Sequence, residues 1–173
     1  MRILERVEKL TTILGNTLGQ LSGWAVAVMM LLVIIEVFMR YIFNKPPLVA
    51  DEFAAYLLVA VSFLGIAYTH LVNGHVRITF LVNRVSAKTA KWLRLITLIL
   101  TEAFIIVMCV ASYEYLAFSV MINERSPSWL NFPLKYPQAT VLIGFFVFSL
   151  VMLGQIIKTA ITIADKDRGD EFG

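Results

Sequence analysis

The sequence has little charge and a single cysteine, and both shortages limit what the protein can be. Of its 173 residues, 16% are charged and 59% are hydrophobic, whereas soluble domains are about a quarter charged. The one cysteine, Cys109, excludes an intramolecular disulfide. The sequence shows no metal-ligand spacing, no nucleophile–base set and no phosphate-binding glycine loop. These absences argue against an enzyme and leave the hydrophobic residues as the main signal.

The hydrophobic residues are concentrated in four long blocks, at 19–43, 53–72, 92–118 and 136–163. Each block is long enough to cross the hydrocarbon as a helix, which needs about 20 residues, and a lone strand would leave backbone groups unpaired in lipid. A soluble bundle is disfavoured because residues 139–157 carry no charge and no polar stripe. The sequence predicts a one-domain, all-α integral membrane protein with four long, tilted spans.

The segments outside the blocks indicate the orientation. Residues 1–18 have apolar side chains at intervals of three and four, which predicts an amphipathic helix that either lies on the membrane or extends the first span into the cytoplasm. Eleven of the 15 lysines and arginines lie near the chain ends, including the polar tail 164–173, and around the second connection. Cytoplasmic segments carry such an excess, so we expect both termini in the cytoplasm.

These basic residues suit contacts with lipid headgroups, and nothing in the sequence indicates nucleic-acid binding. The third connection contains three prolines and Trp129. It is therefore predicted to be an irregular outer loop with an aromatic side chain at the membrane interface.

Four charged residues are predicted to meet where the first two spans are joined. Glu36 and Arg40 are four apart on one helix and can pair. Asp51 and Glu52 open the second helix after a short connection. The four residues together would tie the two helices to each other or contact a partner protein. The acidic pair also has a simpler interpretation, since acids at a helix start complement its dipole and can cap free N–H groups.

Glu102 is the acid predicted to lie deepest in the membrane. It falls about ten residues into the third block, or ~15 Å along a helix and close to the midplane. An ionisable group there is costly and is a functional candidate by default. We expect it to be protonated, to bond to a hydroxyl such as that of Ser62 or Tyr68, to face a second subunit, or to act as the cation site of a proton-coupled exporter. Glu114 is nearer the outer surface.

Two histidines, His70 and His75, lie at the inner end of the second block. A membrane anchor of a redox enzyme would hold haem between histidines on different, facing helices. A spacing of five on one segment does not supply such a pair, and the sequence therefore predicts no cofactor and no bound metal.

The order of several short motifs resembles a known family. The stretch EVFMRYIFNKPPLVADEFAAYLLVAVSFLGIAYTHLVNGHVRITFL is similar to the small membrane subunit, of the DctQ type, of tripartite ATP-independent periplasmic (TRAP) transporters. The shared features are the Arg-Tyr-x-Phe-Asn end of the first helix, a proline, the acidic pair, and a Gly-His-hydrophobic-Arg turn containing His75 and Arg77. SPSWLNFPLKYPQATVLIGF resembles the stretch before the family's last span. Members often have tryptophan where this chain has Val49-Ala50.

The resemblance, which extends over residues 36–157, implies a part in transport. In such systems a periplasmic binding protein captures a small, usually carboxylate-bearing solute. A large membrane subunit then moves it inward by an elevator-type motion driven by a sodium gradient. The small subunit, in the bacterial inner membrane, enlarges the fixed scaffold and holds neither substrate nor ions. The candidates for contacts with a partner subunit or between helices are Glu36, Arg40, Asp51, Glu52, His75 and Arg77.

Overall fold

The described residues form four long helices, and all four are long and apolar enough to cross a membrane. The computed structural model describes residues 2–44, 49–72 and 87–170. The helices are α1 (Arg2–Phe43), α2 (Ala50–Leu71), α3 (Ala87–Met121) and α4 (Lys135–Asp170). The predicted all-α membrane fold with four candidate spans is confirmed.

α1 continues without a break from the amphipathic N-terminal segment into the first span. Its 42 residues measure about 63 Å at 1.5 Å per residue, which is about twice the thickness of the hydrocarbon. Residues 2–18 and the first span thus form one helix. The helix ends before Asn44, whose φ of 51° is left-handed. Asparagine tolerates this conformation, which commonly terminates helices.

α1 packs through one narrow seam. Its buried and half-buried positions recur every three or four residues, and they include Thr11, Gly15, Leu18, Ser22, Ala25, Met29, Leu32, Glu36 and Met39. Two glycines let α2 approach closely, since an added Cβ would lie 2.2 Å from Leu71 Cδ1 at Gly15 and 2.5 Å from Tyr68 Cγ at Gly19. Small residues serve this purpose at helix contacts in membranes. The rest of the α1 circumference is exposed.

α4 is the central helix, because it contacts α1, α2 and α3. The core beside it consists of Ala67, Leu98, Ile105, Val147, Phe148, Val151 and Met152. Gly144 brings α4 against the backbone of α2, since a Cβ there would lie 2.3 Å from the Phe63 carbonyl oxygen. α3 packs mainly on α4 and leaves most of its apolar side chains exposed.

The helices alternate in direction, which gives the bundle two ends. The end where α1 and α3 finish and α2 and α4 begin is called the loop end below, and the opposite end is called the terminal end. The segment between α3 and α4 has turns and one isolated bridge but no helix or strand, so it is an irregular loop as predicted. Arg125 and Pro133 form an antiparallel bridge, and the Ser126 N–H donates to the Phe132 carbonyl at 2.8 Å. These contacts make the segment a compact turn.

Candidate functional site

Glu52 joins α2 to the compact turn between α3 and α4. Its carboxylate accepts hydrogen bonds from the hydroxyls of Ser128 and Tyr56, each at 2.5 Å. The Ser126 hydroxyl donates to Ser128 Oγ at 3.0 Å. Ser128 Oγ also accepts the Leu130 N–H at 3.3 Å. Because hydrogen bonds to a carboxylate are shorter and stronger than neutral ones, Glu52 is the polar centre that positions the turn.

An aromatic group surrounds this polar centre. The Phe132 ring stacks on Tyr56 with centroids 5.2 Å apart and an angle of 28°. It meets Phe53 edge-on at 5.2 Å and lies 5.7 Å from Tyr136. Aromatic pairs at these separations add to the energy of burial. Glu52, Tyr56, Ser126, Ser128 and Phe132 are together called the loop-end cluster.

The four charged residues predicted to meet here are divided in the structure. Glu36 is buried and is paired with Arg40, whose Nε lies 2.7 Å from Glu36 Oε1. The Arg40 side chain is 51% exposed. Among the described residues, no ion pair joins Arg40 to Asp51 or Glu52. The pairing within α1 is present, and Glu52 connects α2 to the turn before α4 rather than to α1.

The register of α1 against α2 explains this division. Gly15 contacts Leu71 near the last turn of α2, so equal rises along both helices place the start of α2 about opposite Glu36. Arg40 is one turn further along α1 and therefore lies beyond the first residue of α2. The Glu52 side chain is directed to the neighbouring turn instead.

The start of α2 has no side-chain cap. Val49 precedes the helix and makes no capping hydrogen bond, while Asp51 and Glu52 lie in the first turn. The acids therefore complement the helix dipole, but the predicted capping of an N–H by a carboxylate is not the arrangement seen. His75 and Arg77 lie outside the residues that the structure describes.

Glu102 is buried between α3 and α4, with 5% of its surface exposed. The Ser149 hydroxyl donates to Glu102 Oε1 at 2.6 Å, and Oε2 has no hydrogen-bond partner within the described part of the chain. The sequence suggested Ser62 or Tyr68 as the hydroxyl partner of Glu102, but the partner in the structure is Ser149. α3 packs on α4, and the Ser62 hydroxyl donates to the Leu58 carbonyl of its own helix.

Glu102 contacts α4 at the middle of its candidate span, which runs Lys135–Ile163. Its partner Ser149 is about 21 Å along α4 from Lys135 and about 9 Å from Gln155. Gln155 Oε1 is 3.0 Å from His70 Nε2, in the last turn of α2. The Glu102–Ser149 pair therefore lies less than two turns along α4 from the His70–Gln155 pair, on its loop-end side.

His70 connects helices in this structure. Besides its contact with Gln155, its ring meets that of Phe148 edge-on at 5.5 Å. In the described segments, no three His, Cys, Asp or Glu side chains lie close enough together to hold a metal ion. The polar pairs Glu102–Ser149 and His70–Gln155 attach α4 to α3 and to α2 respectively.

Two open grooves lie between helices. The groove between α1 and α2, of about 420 Å³, is lined by Gly19, Ser22, Val61, Ser62, Gly65, Ile66, Tyr68 and Thr69. The groove between α3 and α4, of about 480 Å³, is lined by Cys109, Val110, Tyr113, Leu142, Ile143 and Phe146. The first contains small and hydroxyl-bearing residues, and the second contains bulky apolar ones.

Sequence reasoning missed the partners of Glu52. Tyr56 could have been found, because it follows Glu52 by four residues on a helix and such pairs are neighbours. Ser126 and Ser128 carried a weaker signal, since serines near proline commonly bond to neighbouring backbone in turns. Their approach to α2 depends on the packing of distant segments and has no local signature.

The chain is similar in sequence to known proteins. The family model described as "Tripartite ATP-independent periplasmic transporters, DctQ component" matches residues 29–162. A protein of Haemophilus influenzae named as a TRAP transporter small permease protein is 30% identical over 136 residues, which cover 77% of this chain and 81% of that protein. The region matched by the family model runs from α1 to α4 and includes the loop-end cluster and Glu102.

Proposed function

This chain belongs to the DctQ component family of tripartite ATP-independent periplasmic transporters, and from that membership we propose that it is the small scaffold subunit of such a transporter and not an enzyme. The observation that carries the proposal is the family match over residues 29–162, which takes in all or part of each of the four helices. Its proposed role is to brace a large membrane subunit.

The helices have the surface that a brace needs. In the most apolar 18-residue stretch of each candidate span, the buried share is between 6% and 33%, so most of the apolar surface is available to lipid and to a partner subunit. Substrate sites of secondary transporters are typically built from broken helices, whereas α1, α2, α3 and α4 are each continuous. This geometry favours a supporting role over a substrate-carrying one.

The proposed transporter imports a small carboxylate-bearing solute that a periplasmic binding protein delivers. The large subunit moves the solute by an elevator-type motion driven by sodium. The small subunit lies in the bacterial inner membrane with both termini in the cytoplasm, an orientation supported by the distribution of lysine and arginine. The loop end then faces the periplasm.

The loop end carries the candidate partner contacts. Asp51 and the Arg40 side chain are exposed there, on the same end as the turn that Glu52 contacts. Glu36 supports the contact by orienting Arg40, and Glu52 supports it by positioning the turn. In the sequence between α2 and α3, His75 and Arg77 are candidates on the strength of the family resemblance.

Co-purification tests the association directly. The tagged chain, expressed together with the large membrane subunit of its own transporter, should retain that subunit in mild detergent. An unrelated four-span protein carrying the same tag controls for adhesion of apolar surfaces. The proposal would be contradicted if the tagged chain retained no more of the large subunit than the control protein does.

One observation favours a second function. Glu102 Oε2 is buried and has no hydrogen-bond partner among the described residues. A carboxylate oxygen of this kind can accept a proton, as the coupling site of a stand-alone proton-driven exporter must. Glu102→Gln keeps the size of the side chain and the Oε1 acceptor. An exporter should lose transport with this substitution, whereas the scaffold subunit should support uptake at close to the wild-type rate.

A further inference from the structure

The groove between α3 and α4 has the lining of a site for a hydrocarbon chain. All six lining residues are apolar except for the hydroxyl of Tyr113. The groove is open at the surface, because Val110, Tyr113 and Phe146 are each more than half exposed. Cys109, the one cysteine of the sequence, lines the groove and is half-buried.

The depth of the groove corresponds to the acyl region of one leaflet. Along α4, Leu142 and Phe146 lie about 10 to 16 Å from Lys135, at the loop end of the helix. The hydrocarbon core is about 30 Å thick. With Lys135 at the edge of the hydrocarbon, the groove lies mainly in the half that is nearer the loop end.

The lining is unsuited to a helix of a partner subunit. Helices dock closely in membranes where glycine, alanine, serine or threonine lines the contact, and the groove between α1 and α2 has Gly19 and Gly65 in its wall. The α3–α4 groove instead has Tyr113 and Phe146 at its opening. A flexible chain can follow such a surface, whereas a helix backbone is held away from it.

Charged side chains of both signs lie on the loop-end side of this groove. Tyr136 is on the same face of α4 as Ile143, two turns nearer the loop end, and the Lys135 Nζ is 5.4 Å from the Tyr136 ring centroid. On α3, the exposed Glu114 is one turn beyond Val110 in the same direction. A cation and an anion at headgroup depth complement a headgroup that contains both a phosphate and an ammonium group.

We propose that the α3–α4 groove binds one phospholipid whose headgroup carries a phosphate and a primary ammonium group. One acyl chain lies between Val110 and Ile143, and the Lys135 ammonium interacts with the phosphate. Glu114 interacts with the lipid ammonium. The lipid fills the open groove between α3 and α4 and covers the apolar side chains that line it.

Photolabelling tests the site in the full chain. The purified protein is placed in phosphatidylcholine vesicles that contain a small fraction of phosphatidylethanolamine with a photoreactive acyl chain. After illumination, peptide mass spectrometry should find the label concentrated in 109–113 and 142–146, and unlabelled phosphatidylethanolamine should compete it away. This competition is measured on the wild type and needs no variant.

Substitutions separate the groove from the remaining apolar surface. Ile143→Trp fills the groove and should abolish the labelling, while Leu100→Trp, on the opposite side of α3 from Cys109, should leave it unchanged. Lys135→Gln and Glu114→Gln should weaken labelling by the ethanolamine lipid severalfold. A photoreactive phosphatidylcholine should label the groove less strongly in the wild type.

Two results would overturn the proposal. One is a label spread evenly over the exposed faces of α1 and α3 that excess phosphatidylethanolamine does not displace. The other is loss of the label in the complete transporter accompanied by cross-linking of Cys109 to another subunit, which would assign the groove to a protein partner.

Discussion

Removal of the Ser149 hydroxyl should weaken the attachment of α3 to α4. That hydroxyl donates to Glu102 Oε1 at 2.6 Å, and Oε2 has no other donor in the described part of the chain. In Ser149→Ala, both oxygens of a side chain that is 5% exposed are left without a hydrogen bond. The substitution therefore leaves a buried polar group unsatisfied inside the membrane.

The expected cost follows from two measures of such contacts. An unsatisfied buried polar group costs about 1–3 kcal/mol. Hydrogen bonds between membrane helices average about 0.6 kcal/mol, with a maximum of about 1.7, because the dissociated helices also find partners. Since Glu102 cannot turn to water from its buried position, we expect Ser149→Ala to lower the free energy of unfolding by about 1–2 kcal/mol.

A matched set of variants isolates this contact. Glu102→Leu with Ser149→Ala replaces both polar groups by apolar ones, and such exchanges are nearly neutral or stabilising, so the double variant should be more stable than Ser149→Ala alone. Thr97→Ala is the control, because that hydroxyl donates to the Leu93 carbonyl within its own helix at 2.8 Å.

The free energies can be measured by titrating the purified protein from mild detergent into sodium dodecyl sulfate and following helix unfolding by circular dichroism. The reasoning is refuted if Ser149→Ala is as stable as Thr97→Ala. It is also refuted if the double variant is less stable than Ser149→Ala.

Two further predictions concern the other helix contacts. Gly144→Ala would place a Cβ 2.3 Å from the Phe63 carbonyl oxygen and should lower the free energy of unfolding by about 1–3 kcal/mol. In the control Gly23→Ala, the added Cβ meets nothing within 4 Å, so the variant should be as stable as the wild type or more stable by up to about 1 kcal/mol. Equal unfolding midpoints for the two variants would contradict this prediction. Ser128→Ala removes the acceptor for the Leu130 N–H and the hydrogen bond to Glu52 of α2. Amide hydrogen exchange in the turn 124–134 should therefore accelerate, while exchange in α3 is unchanged. Unaltered exchange in the turn would show that these hydrogen bonds do not stabilise it.

The four spans could be predicted because a transmembrane helix has a strong local signal. About 20 consecutive apolar residues suffice to identify one, and each block met that condition. The length of α1 could not be predicted from the sequence. Its amphipathic residues 1–18 suit a helix on the membrane surface as well as one that continues the first span, since both place apolar side chains on one face.

The contacts that Glu52 and Glu102 make with other segments could not be predicted, because they depend on which helices are neighbours. Glu36 and Arg40 lie on one helix, and their pairing follows from a spacing of four. Glu102 and Ser149 are on different helices, and the hydroxyl partners expected on α2 were wrong because α3 packs mainly on α4. Glu52 was expected to approach Arg40 of α1 because the two residues are close in sequence.

Sodium-dependent uptake by the reconstituted transporter tests the central claim most directly. Proteoliposomes are prepared with the large subunit alone, with this chain alone, and with both, and each receives the solute-loaded binding protein and an inward sodium gradient. The scaffold role predicts uptake only when both chains are present, and it predicts that Glu102→Gln in this chain leaves that uptake nearly unchanged. Solute uptake by this chain alone, or full uptake by the large subunit without it, would contradict the account.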